Sequence, residues 1–216
     1  MARLGYNERK INEEGFPMKQ KTISTKKIVI TALMAALTVA GSAIRVTLPI
    51  DIAGTTSFHL GNIMCALGGL LLGPWYGALA AGIGSMLYDF TNPLYIAESW
   101  ITLLTKGAYG LIAGLVFWYG DRVFVAIKNG WKKLVQAGYL KAAAATAAGA
   151  VVYAILYLLK SYIKGIVVNG LTHDAAMLTL AAKLPATIFN GVVAIIFAPI
   201  LIVAIRAALK KNHLEI

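Results

Sequence analysis

A chain of 216 residues in which 59% are hydrophobic and only 13% charged, with a mean hydropathy of +0.73, has too little polar surface to cover a water-soluble domain. Its 20 basic against 9 acidic residues, net +11, would suggest a nucleic-acid binder in a soluble protein. Here the basic residues cluster between apolar runs, which is the Lys and Arg excess of cytoplasmic loops, so nucleic acid is excluded as a partner and the lipid bilayer takes its place. A single cysteine, Cys65, excludes an internal disulfide.

Residues 1–27 carry Arg3, Arg9, Lys10, Lys19, Lys21, Lys26 and Lys27. They lack the apolar core and cleavage site of a secretory signal, so a basic cytoplasmic tail is expected, with Met18 as an alternative start. The membrane domain is expected over residues 28–206, and its first span over 28–44. That span holds Ala32, Ala36 and Ala40 at four-residue spacing, a flat strip on one helix face. Residues 45–57, with Pro49, Asp51 and Gly54, read as a polar loop.

Between His59 and Asp89 there is no charged residue, and Gly73-Pro74 interrupts the run near its middle. Pro lacks an amide hydrogen and Gly accepts left-handed dihedrals, so two short spans folded on each other are expected, at residues 58–72 and 75–90. Glycines among alanines and leucines let their backbones approach closely. A loop at 91–99 precedes a span at 100–119. A basic segment with Arg122, Lys128, Lys132, Lys133 and Lys141 follows, then a span at 142–159, a loop at 160–182, a span at 183–205, and a short basic cytoplasmic tail at 207–216.

Two basic clusters on one side require an even number of crossings between them. The fold class expected is therefore an all-α integral membrane protein, a six-transmembrane-helix bundle with both termini cytoplasmic. Spans four and six repeat one pattern: Thr102, Lys106 and Tyr109 in the first, Lys183, Thr187 and Asn190 in the second. Offsets of four and seven place each trio on one face, at matching depth in the outer half. A shared cavity open to the outside is the expectation.

Lysine is costly inside a membrane, so Lys106 should face that cavity and have an anionic or hydrogen-bonding partner, with Asp89 and Glu98 the nearest acids. His59 and Asn62 fall in the same layer, and Tyr95, Trp100 and Tyr109 can stack on a flat ring. Each has a second reading: Asn62 and Asn190 as helix-to-helix bonds, His59, Tyr95 and Trp100 as interface residues, Lys183 as a snorkelling side chain.

No phosphate-binding loop, His-Glu-x-x-His or Cys-x-x-Cys occurs, and His59, His173 and His213 are scattered, so neither ATP, a metal nor another cofactor is expected on this chain. Ser85 lies near Asp89 without a histidine to complete a hydrolase set. No catalytic residues, and no enzyme, are expected.

The hairpin, from His59-Leu-Gly-Asn62 through Gly68-Gly69-Leu-Leu-Leu-Gly73-Pro74-Trp75-Tyr-Gly77 to Asp89-Phe90, together with Ala32-x-x-x-Ala36, resembles the S components of energy-coupling factor (ECF) vitamin transporters. The resemblance covers about residues 28–206 and is nearest to the riboflavin, hydroxymethylpyrimidine, pyridoxine and cobalamin branch. It implies a prokaryotic plasma-membrane protein that captures a water-soluble vitamin from outside. Such a protein docks on a transmembrane T component and two cytoplasmic ATPases, which hold the ATP-Mg, and topples to release its load. By the same resemblance Ala32 and Ala36, with Ala40 continuing their strip, meet the T component. The alternative is a stand-alone ion-coupled transporter using Lys106 and Asp89 as its coupling pair.

Overall fold

The structure, a computed structural model, describes residues 25–50, 54–93, 95–120 and 138–213. In chain order these form α1 (Thr25–Ala43), β1 (Arg45–Ile50), β2 (Gly54–His59), α2 (Gly61–Leu72), α3 (Pro74–Phe90), a 3-10 turn (Ile96–Glu98), α4 (Ser99–Tyr119), α5 (Tyr139–Val167) and α6 (His173–Lys211). Most of the N-terminal tail, and Asp51, Arg122, Lys128, Lys132 and Lys133, lie outside the described residues.

Among the described residues four helical stretches are long and apolar enough to cross a membrane: Thr25–Ala43, Ile96–Tyr119, Tyr139–Val167 and His173–Lys211. α2 and α3, at 12 and 17 residues, fall short of the roughly 20 that a full crossing takes. They fold back on each other at Gly73, whose φ of +83° is open to glycine and costly to other residues, and Pro74 opens α3 where its missing N–H is no loss.

Behind that turn three glycines replace side-chain packing with backbone contact. A Cβ on Gly77 would collide with Gly69, one on Gly69 with the Gly110 carbonyl, and one on Gly110 would come within 2.6 Å of the Gly77 oxygen. Lipid gives helices no hydrophobic reason to associate, so this close approach and its dispersion contacts hold α2, α3 and α4 together. Around it lie Leu67, Leu70, Ala80, Ala81, Ala113 and Phe117, and across the interface with α5 and α6, Ala145, Ala194 and Ala198. The outward faces present Val151, Ile155, Ile188 and Phe197, apolar residues suited to lipid.

Two segments differ from the sequence reading. Of residues 45–57, expected as a polar loop, 45–50 and 54–57 belong to an antiparallel pair of strands that sets Arg45 opposite His59 and Thr47 opposite Ser57. β-branched Val46, Thr47, Thr55 and Thr56 favour strand, and the ladder satisfies backbone groups packed against the bundle. The fold is thus helical but not wholly so, and Phe58 and His59 close a strand where a second span was expected to begin.

Residues 160–182 were expected as a loop, yet α5 runs on to Val167 and α6 already starts at His173. The link between them turns at Gly170, φ +62°, and the Thr172 hydroxyl accepts the Ala175 N–H at 3.4 Å to cap α6. Lys160 and Lys164 lower the hydropathy but are good helix formers. The drop in hydropathy marks where lipid ends, while the helix carries on. α6 likewise continues through Pro185 and Pro199, as helices supported by neighbours in a membrane do.

Candidate functional site

A cavity of about 180 Å³ lies at the end of the bundle opposite the Gly73 turn. The hairpin supplies Arg45, Thr56, Ser57 and His59; the end of α3 gives Asp89; the 3-10 region gives Tyr95 and Glu98. α4 contributes Thr102, Thr105 and Lys106, and α6 contributes Lys183, Thr187 and Asn190. The remaining wall is the C-terminal half of α5, with Tyr153, Tyr157, Lys160, Ser161 and Lys164.

Lys106 is 6% exposed. Its ammonium donates to Asn62 Oδ1 and stands 3.9 Å from the centre of the Tyr153 ring. The partner is an amide and a π face, where an acid was the nearest sequence candidate; among the described residues no carboxylate lies within ion-pair distance of Lys106, Asp89 included. Tyr109, Tyr153 and Tyr157 form a stacked ladder with centroids 5.9 and 5.8 Å apart. It descends from the cavity into the core, where the fully buried Tyr109 hydroxyl has no hydrogen-bond partner among the described residues.

On the rim, Glu98 takes both Lys160 and Lys164 as ion-pair partners. Arg45 donates from Nε to the Ser42 carbonyl at 2.8 Å, and its guanidinium lies 4.1 Å from the Tyr88 ring centre and 5.1 Å from that of Tyr95. Lys183 reaches Ser161 Oγ at 3.5 Å.

The hairpin is pinned to α6 by two neighbouring residues. Asn190 Oδ1 accepts the His59 N–H at 2.9 Å, its Nδ2 donates to the Ser57 carbonyl at 2.8 Å, and Phe189 meets Phe58 edge-on at 4.8 Å. His59 Nδ1 in turn accepts the Gly61 N–H at 3.1 Å, holding the start of α2.

Of the residues singled out in the sequence, His59, Asp89, Tyr95, Glu98, Lys106, Lys183, Thr187 and Asn190 line this cavity. Asn62 and Tyr109 stand behind it, the first holding Lys106 and the second under Tyr153. Trp100 is 61% exposed and outside the lining. The α5 wall escaped the sequence reading although its signal was present: Tyr153, Tyr157, Lys160 and Lys164 recur at helical spacing, and ending the span at 159 hid the pattern. Arg45 was lost inside the expected loop.

On the far side of α1, Ala32, Ala36 and Ala40 are exposed while Met34, Ala35 and Thr38 face the bundle. The alanine strip is flanked by exposed Val29 and Leu33 and does not pack internally.

A family model described as "ECF-type riboflavin transporter, S component" matches residues 22–207. The chain belongs to this family of ECF S components. A protein of Pyrococcus woesei described as "Uncharacterized protein in gap 3'region" is 35% identical over 79 residues, 37% of this chain and 50% of that one. The chain thus spans about half the length of the curated relative it matches. This ECF S component is thus a multi-pass membrane protein, and proteins of the family are in general non-enzymatic substrate-binding subunits that work with a T component and ATPases.

Proposed function

We propose that this S component captures a small water-soluble vitamin from outside the cell and delivers it inward through a T component energised by two ATPases. The observation that carries the reading is the cavity walled by hairpin, α3, α4, α5 and α6 at one end of the bundle. Basic Lys141, Arg206, Lys210 and Lys211 sit on helix ends at the other. With the basic end cytoplasmic, the cavity faces outward and six crossings follow, α2 and α3 together making two. Ala32, Ala36 and Ala40 then offer the T component a flat apolar face on which backbones can approach.

The lack of a Lys106–Asp89 ion pair gives no support to an ion-coupled mechanism built on those two residues. Uptake by cells expressing the chain with and without a T component and its ATPases tests the proposal. Accumulation only with the partners supports it, and accumulation without them that an ionophore dissipates would overturn it.

A further inference from the structure

We infer that the solute taken by this cavity is a small organic anion, a single ring bearing a carboxylate or phosphate; the inference rests on the S-component reading and narrows it. Among the described residues five cationic side chains line the cavity, Arg45, Lys106, Lys160, Lys164 and Lys183, against two carboxylates, Asp89 and Glu98. Among the described residues Glu98 is the one carboxylate within ion-pair distance of any of the five, and it is already shared by Lys160 and Lys164. Arg45, Lys106 and Lys183 are held by a backbone carbonyl, an amide, a hydroxyl and aromatic faces.

Those neutral partners orient the cations without cancelling their charge. Like charges gathered where little water screens them repel one another, and each ionised group taken from bulk water loses solvation. A site built for a neutral solute would gain nothing from such an arrangement. An incoming anion relieves it, and Arg and Lys are the side chains that recognise carboxylate and phosphate.

Size and lining narrow the class further. At about 180 Å³ the cavity is below the roughly 300–1,000 Å³ that encloses drug-sized ligands, which suits one ring rather than a fused system with a long tail. Tyr95, Tyr153 and Tyr157 give that ring apolar walls, and the hydroxyls of Thr56, Ser161 and Thr187 offer neutral hydrogen bonds to its substituents.

The test is calorimetric titration of the purified full chain in lipid nanodiscs with matched pairs that differ in charge. The pairs are pyridine-3-carboxylate against its carboxamide, pyridoxine 5′-phosphate against pyridoxine, and flavin mononucleotide against riboflavin. In at least one single-ring pair the anion should bind at least about tenfold tighter than its neutral partner, and raising salt should erode that advantage. In Lys106→Gln and Lys183→Gln the preference should fall below about threefold; if Lys106→Gln does not fold, Lys183→Gln and the salt series still decide.

Tighter binding of the neutral member, riboflavin over its phosphate included, would overturn the anion assignment while leaving vitamin capture intact. Binding of no anion by folded protein would also overturn it. Partner-dependent uptake then judges the S-component reading separately.

Discussion

Asn190 holds the backbone of His59 from 131 residues away in sequence, taking its N–H at 2.9 Å while giving its own amide hydrogen to Ser57. Asn190 therefore ties the second strand of the hairpin to α6 beside the cavity. Asn190→Ala leaves a donor and an acceptor without partners, a cost of about 1–3 kcal/mol. A lower melting temperature and faster amide hydrogen exchange over residues 54–59 are expected. Exchange in the hairpin equal to that of the parent protein would remove the latch.

On α1 the exposed alanine strip predicts a separation of binding from transport. Ala36→Trp, and equally Ala32→Trp, sets a large ring on a face that touches nothing in the bundle, so the purified variant should bind its vitamin with parent affinity. Partner-dependent uptake should fall at least about tenfold. Normal uptake by both variants would dismiss this face as the T-component contact.

The glycine junction predicts opposite outcomes for the same substitution at two sites. Gly77→Ala drives a methyl into the backbone of Gly69 and should destabilise by about 3 kcal/mol. At Gly191 an added Cβ meets only Ala150 Cβ at 3.7 Å, an ordinary contact inside a helix, where glycine itself costs about 0.5–1 kcal/mol. Gly191→Ala should be neutral or stabilising. Thermal melts of the two variants in one detergent check the contrast.

Glu98 predicts a coupling between the start of α4 and α5. It is the shared ion-pair partner of Lys160 and Lys164. Removing its charge leaves two part-buried ammonium groups without their counter-charge. The melting temperature of the parent should therefore exceed that of Glu98→Gln. Equal melting temperatures would mean that the carboxylate charge contributes nothing.

Much of the site was legible because lipid makes polar residues conspicuous. Lys106 stands out in an apolar run, and the matched trios of α4 and α6 give depth and facing from spacing alone, which is how Lys183, Thr187 and Asn190 come to one cavity. The hairpin was not legible, since Pro49, Asp51 and Gly54 outweigh a short β-branched pattern whose pairing depends on tertiary contact. Nor was the upper part of α5. Hydropathy reports the solvent around a segment, whereas Lys160 and Lys164 obey helix propensity and an ion pair to Glu98 that no local window contains. Trp100 shows the converse: it was offered either for the cavity or as an interface aromatic, and at 61% exposed it stands outside the lining.

Where Gly69, Gly77 and Gly110 meet, backbone rests on backbone with no side chain between. Helices that slide past one another do so by switching rotamers at their contact, and here there are none to switch. α2, α3 and α4 must then move as a single lever, and a tilt begun at the Gly73 end is transmitted without slack to Asp89 and Lys106. The compliance needed to admit and discharge a solute falls to the hairpin, which Asn190 and Phe189 fasten to α6 through side chains.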